Sequence, residues 1–170
     1  AAVIAIPLWV RISRRIGKKY SYNIGMGIFA VGVLVFFFFG HRTGVQFSYI
    51  LMFFAGLGFA TNYVMPWSIV PDVVEYDYAE RGVRREGVFY GMWTFSSKIG
   101  QAVGIGLSGW MLSMFGYQES VGGIPAETQS EAAMFGIRLL TGPVPAFFFV
   151  AGVIVLSFFP ITNRKYQEIM

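Results

Sequence analysis

The sequence predicts an all-α fold, a polytopic bundle of helices held in a bilayer. Three observations carry this expectation. First, 55% of the 170 residues are hydrophobic, 18 of them Phe, and only 13% are charged; an ordinary soluble domain is about a quarter charged. The few polar side chains leave apolar surface that lipid must cover. Second, apolar runs reach the ~20 residues that cross a hydrocarbon core of about 30 Å. Third, Lys and Arg gather in alternate connections, the pattern that sets membrane topology.

Taken in order, Ala1 to Val10 reads as the end of a helix whose beginning lies before Ala1. The chain is therefore expected to be a fragment. A basic loop follows with Arg11, Arg14, Arg15, Lys18 and Lys19. The first complete span is placed at 22–40, ending in Phe36 to Phe39, and the second at 47–70. A charged connection with Arg81, Arg84 and Arg85 leads into a third span at 87–115. The segment from Gly116 to Gly142 is broken by Gly122, Gly123 and Pro125; within it Thr128-x-x-Glu131 fits a capping box for a short amphipathic helix over Ala132 to Leu140. The last span is placed at 143–160, before a tail with Arg164 and Lys165. The opposite side carries Arg42 and Arg138 among Glu119, Glu127 and Glu131. The basic loops and the C-terminus are thus expected to be cytoplasmic, in a bacterial inner membrane.

Several function classes drop out. Cysteine is absent, so neither disulfides nor thiolate metal sites are available. The single histidine, His41, stands beside Arg42 in a polar turn and reads as a solvated residue, leaving no metal site. The net charge of +4 is accounted for by the topology-setting connections, so nucleic acid is not an expected partner. The carboxylates before the third span sit among arginines without a nucleophile, so no enzyme is expected.

One side chain stands out. Lys98 is the only ionisable group between Glu86 and Glu119 other than Tyr90 and Tyr117. An ammonium in a spanning helix costs roughly 2.5–3.5 kcal/mol on insertion scales, so it is expected to face a partner or a water-filled cavity. Lys98 lies roughly 18 Å along its helix from Glu86, and Tyr63 roughly 14 Å from Asp72 on the preceding antiparallel helix. Both belong at similar depth. Thr94 and Gln101 share the Lys98 face, with Trp93 adjacent. Together, Lys98, Thr94, Trp93, Tyr63 and Gln101 would suit a sugar-sized polar ligand: donors and acceptors for hydroxyls, rings for the apolar side of a pyranose. The competing reading makes Lys98 a structural partner for a carboxylate on another helix bundle, with the rings as packing.

At the charged connection, Asp72, Glu75, Arg84, Arg85 and Glu86 are expected to form a cytoplasmic gate, within a cluster that also holds Asp77, Glu80 and Arg81. Exposed ion pairs contribute about 0–1 kcal/mol each, enough to bias two conformations. The stripe Gly100-x-x-x-Gly104-x-x-x-Ser108 predicts close helix approach on the third span, and Pro66 predicts a kink that frees the Asn62 carbonyl.

The run PDVVEYDYAERGVRREGVFYGMWTFSSKIGQAVG, from Pro71 to Gly104, resembles the connection between helices ten and eleven of the glycoside–pentoside–hexuronide:cation symporters, the melibiose permease-like group of the major facilitator superfamily. Asp72-x-x-Glu75-Tyr76, Arg84-x-Glu86, Tyr90, Thr94 and Lys98 fall in register without a gap. Arg15 to Lys19 resembles the connection between helices eight and nine, with Arg14 where the superfamily has an acidic residue. Phe159-Pro160-Ile161-Thr162 resembles the exit from helix twelve. The resemblance implies a C-terminal transmembrane fragment, residues 1–170, from the end of helix eight to helix twelve of a secondary transporter working by alternating access. It further implies a sugar or sugar acid carried with Na⁺ or H⁺, no other cofactor, and a cation site mainly in an N-terminal half of the same transporter. It also implies that the Lys98 counterpart lies near the sugar and cation sites of such relatives and that the Thr94 counterpart helps line the sugar pocket. Trp93 and Tyr63 replace a glutamine and a tryptophan of melibiose permease, so a differently shaped pocket is expected. Rival readings are a lipid or lysolipid carrier of the same superfamily and a membrane subunit that transports nothing.

Overall fold

A computed structural model describes residues 2–40, 42–119 and 129–158. Six helices follow one another: α1 (Ala2–Ile16), α2 (Lys18–Phe39), α3 (Val45–Arg81), α4 (Glu86–Met114), α5 (Glu131–Thr141) and α6 (Pro143–Ser157). No strand occurs among the described residues, and the all-α expectation holds. His41, Glu127, Thr128, the Gly122–Pro125 break and the tail from Phe159 onward lie outside the described residues.

The connections other than that between α4 and α5 are short. Gly17, at φ 92°, is the whole joint between α1 and α2. Only glycine reaches that conformation without steric cost. Arg11, Arg14 and Arg15 therefore belong to the last turns of α1, and Lys18 and Lys19 open α2; the expected basic loop is a one-residue elbow. Gly82, at φ 69°, closes α3 with its N–H on the Tyr78 carbonyl, an αL cap. At the start of α5 the cap is Ser130, whose side chain accepts from the Ala133 N–H. Glu131 is thus the first helical residue rather than the third of the expected box. Pro143 opens α6, where a missing N–H costs nothing.

The helix α3 differs most from its expected bounds. It continues past Val70 to Arg81, 37 residues in all, unbroken through Pro66 and Pro71. That length corresponds to about 55 Å, well beyond a hydrocarbon core of about 30 Å. Three stretches are long and apolar enough to cross a membrane: Lys18–Phe39, Val45–Arg81, and Glu131–Ser157, which joins α5 to α6. The expected span 87–115 is helical over Glu86–Met114 but is not one of the three, because Lys98, Gln101 and its serines and glycines dilute its apolar content.

The core is built around α2 and α3. Ala5 and Trp9 of α1 pack with Ala60 and Met65 of α3, and the Trp9 indole N–H donates to the Leu57 carbonyl at 2.8 Å. Ala30 and Val33 of α2 pack on Ala146 of α6. Between α2 and α3 the backbones nearly touch. A Cβ on Gly58 would overlap the Gly25 carbonyl oxygen, and one on Gly25 would overlap the Thr61 side chain. Close helix approach therefore occurs here. On α4 a Cβ added at Gly100 or Gly104 would meet nothing within 4 Å, and no α4 residue is buried. At Gly100 and Gly104 no described helix approaches closely.

Candidate functional site: a polar cleft between α3 and α4

Helices α3 and α4 diverge from a narrow contact at which the Trp67 and Trp93 rings meet edge to face, centroids 6.3 Å apart. The space beside that contact is a cleft of about 500 Å³ lined by Asn62, Tyr63, Pro66, Trp67, Trp93, Thr94, Ser97, Lys98 and Gln101. Helical spacing explains the set. Asn62, Tyr63, Pro66 and Trp67 fall at one-turn intervals on α3, and Trp93, Thr94, Ser97, Lys98 and Gln101 do so on α4. Tyr63, Trp93, Thr94, Lys98 and Gln101 thus converge on one cavity. Sequence reasoning missed Asn62, Trp67 and Ser97 as lining residues. Trp67 and Ser97 carried signals: Trp67 is one turn beyond Tyr63, and Ser97 lies three residues after Thr94 on the same face.

The cleft is chemically mixed. One wall offers the Lys98 ammonium, the Thr94 and Ser97 hydroxyls and the Gln101 amide; the other offers aromatic faces and the Asn62 amide. Asn62 is itself approached by Tyr22, its hydroxyl 3.5 Å from Asn62 Oδ1. Lys98 makes no ion pair with any described carboxylate.

At the basic end, the expected gate resolves into separate pairs. Asp72 is bound by Lys18, whose ammonium donates to both carboxylate oxygens, at 2.8 and 2.7 Å, and to the Ser68 carbonyl at 2.8 Å. Lys18, read from the sequence as a topology-setting charge, is a tie between α2 and α3. Arg84 and Glu86 pair at 3.0 Å on the exposed surface. Arg85 turns back instead to Asp77, its Nε donating at 3.0 Å to Oδ2 and its Nη2 to Oδ1, while Arg81 lies 3.2 Å from the same carboxylate. Asp77, outside the expected gate set, is the hub, buried where Asp72 is only half-buried. Its i,i+4 spacing to Arg81 was the available signal. It lies past the apolar stretch ending at Val70, and the Arg85 hydrogen bonds hold its pKa below the ordinary carboxylate value. Glu75, Arg84, Glu86 and Tyr90 share a smaller pocket of about 180 Å³ with Pro71, Val74 and Tyr78.

A polar cleft between apolar helices, with a charged cluster at one end, is the arrangement of a membrane carrier. A sequence profile described as MFS/sugar transport protein matches residues 1–163. The chain belongs to this family. It is similar to an uncharacterized symporter of Synechocystis, 33% identical over 99% of this chain and 31% of that protein. It is 30% identical to a glucuronide carrier protein homolog of Escherichia coli, over 99% of this chain and 35% of that protein. A sphingosine-1-phosphate transporter of Xenopus tropicalis is 28% identical over 99% of this chain and 32% of its own length. The chain spans about a third of the length of these relatives. Family membership and the apolar helices make it an integral membrane chain of a transporter family.

Proposed function

We propose that this chain is the C-terminal bundle of a longer secondary transporter that carries a sugar or sugar acid together with Na⁺ or H⁺ by alternating access. The single observation that supports this reading most is the convergence of Tyr63, Trp93, Thr94, Lys98 and Gln101 on one cleft of about 500 Å³. Lys98 supplies charge for an acidic group or polarised hydroxyl, Thr94 and Gln101 pair with hydroxyls, and the rings of Tyr63 and Trp93 pack on the ring face. The open side of the cleft is completed by an N-terminal half that also brings the coupling cation's ligands. The basic end is cytoplasmic, and the Lys18–Asp72 and Asp77–Arg85 ties form part of the gate there. The relatives named as symporter and glucuronide carrier agree with a sugar-type cargo.

The test is uptake by proteoliposomes of the full-length transporter under imposed Na⁺ or H⁺ gradients, with glucuronides and neutral glycosides as candidate cargo. Gradient-dependent accumulation that is lost in Lys98→Ala supports the reading. Accumulation that ignores both gradients, or survives in Lys98→Ala, overturns it. A second reading, carriage of a lipid or lysolipid, draws on the sphingosine-1-phosphate relative and on an apolar cavity of about 620 Å³ beside Trp93; it predicts movement of a lipid between leaflets in the same vesicles.

A further inference from the structure

Two walls of the polar cleft, Pro66 and Trp93, also bound the apolar cavity of about 620 Å³. Its other walls include Ile69 and Val70 of α3 and Val155, Leu156 and Phe158 at the end of α6. The two spaces are consecutive along α3. The cleft takes positions from Asn62 to Trp67, and the cavity takes Pro66, Ile69 and Val70, about one turn further on. On α4 the cleft runs from Trp93 to Gln101, and among the described residues Trp93 alone reaches the cavity from that helix. A ligand packed on the Trp93 ring in the cleft therefore has apolar space next to it, past Trp93 and Pro66.

The chemistry changes across that boundary. The cleft offers the Lys98 ammonium, the Thr94 and Ser97 hydroxyls and the amides of Asn62 and Gln101. Among the described side chains lining the cavity, the polar groups are the Tyr22 hydroxyl and the Trp93 indole N–H. The Tyr22 hydroxyl already lies 3.5 Å from Asn62 Oδ1. A second sugar ring there would leave most of its hydroxyls without partners, and each would carry a desolvation cost. Hydrocarbon suits the space. A dry cavity of about 150 Å³ already holds a benzene ring, so this one has room for an aryl group or a short alkyl chain.

We propose that the cavity is an aglycone subsite. The cargo is a sugar or sugar acid bearing an alkyl or aryl substituent, its sugar in the polar cleft and its substituent past Pro66 and Trp93, against Ile69, Val155 and Leu156. This rests on the reading of the cleft as a sugar site and narrows it: a monosaccharide with an apolar substituent is favoured, and an oligosaccharide is not. Trp93 serves both parts of the ligand, packing on the pyranose from one side and bordering its substituent on the other.

The experiment is calorimetric titration of the full-length transporter in nanodiscs with methyl, ethyl, propyl and butyl glucuronide. In the wild type each added methylene should tighten binding about fourfold, the effect of one buried CH₂. Gly152 lines the cavity and a Cβ there meets open space, so Gly152→Phe should place a ring in it without a clash. That variant should bind methyl glucuronide as the wild type does and lose the gain along the series. Should Gly152→Phe not fold, Val155→Phe supplies the plug, and the wild-type series decides independently. A flat wild-type series, with methyl glucuronide still bound, overturns the proposal alone; a bilayer acyl chain held in the cavity would give that result. An equal gain in Gly152→Phe also overturns it, since the gain would then come from partition into the bilayer. So does a gain that appears only in a variant ending at Phe158, because the chain's own tail would be the occupant. A disaccharide glucuronide that binds more tightly than the butyl compound overturns it as well. If neither methyl glucuronide nor methyl glucoside binds, the sugar reading of the cleft fails, and the subsite with it.

Discussion

At Lys98 the physical argument is at its most specific. The cost of an ammonium at mid-helix predicted a polar surrounding, and the side chain lines a cleft with Thr94 and Gln101. Lys98→Ala in the full-length transporter should lower the initial uptake rate by roughly tenfold or more, the loss of one hydrogen-bonding charge, with membrane insertion unchanged. Uptake at the wild-type rate, or loss of folded protein with normal transport per molecule, would assign it a structural role instead. Gly58 makes the opposite kind of case, since its importance is purely steric. A Cβ there would run into the Gly25 carbonyl and the Phe29 N–H, backbone atoms that cannot swing aside. Gly58→Ala should therefore destabilise the α2–α3 pair by about 1–3 kcal/mol, read as a lowered unfolding temperature in detergent. Gly100→Ala, with open space around it, should leave the unfolding temperature of the isolated chain unchanged. The sequence made Lys98 legible because charge in an apolar run is rare. It could not separate Gly58 from Gly100, because glycine marks close approach only where a second helix is known to arrive.

Helices and their joints set the next scale. Helix identity was legible in run length and in the spacing of basic residues, and the cleft face of α4 could be read from the Thr94, Lys98, Gln101 periodicity. Charge pairing was not. Asp72 finds Lys18 and Asp77 finds Arg85 only because the Gly17 elbow and the Gly82 cap turn the chain back, and neither angle is written in composition. The Asp77–Arg85 tie gives a pH prediction with a definite sign. Its folded-state pKa is lowered, first by the Arg85 hydrogen bonds, so the tie contributes stability above the unfolded carboxylate value. That contribution is lost as pH falls through the still lower folded value. Proteolysis of the Gly82–Arg85 connection should accelerate in that acid window. Asp77→Asn should show the fast rate already at neutral pH; a pH-independent rate in the wild type would refute the tie.

For the molecule as a whole, the distribution of burial is uneven. Helices α1, α2, α3 and α6 share the core residues, whereas α4 buries none. A helix that carries much of the candidate cleft and buries no residue against its neighbours is where the proposed N-terminal half would dock. The chain alone, reconstituted in liposomes, should therefore fail to accumulate any glycoside above protein-free controls. Accumulation by the isolated chain would show that one bundle suffices. Co-expression with the proposed N-terminal half should slow hydrogen exchange in α4 more than in α2, because only α4 gains its first buried surface.

The long helix α3 has a mechanical meaning. From Trp67 at the cleft to Arg81 at its tip is about 21 Å of unbroken helix, most of it past the apolar stretch. Such a rod is a lever with its fulcrum at the candidate cleft. A tilt of ~10° where a cargo touches Tyr63 or Trp67 carries the tip through ~4 Å by that arm length, farther than any hydrogen bond stretches. Asp72, a short way along the same arm, moves by only ~1 Å. Asp77 itself, ten residues along the arm, moves by ~3 Å. One motion would thus strain its bonds to Arg85 while Arg81, on the same helix, moves with it and the Lys18 tie stays nearly closed as the pivot pin.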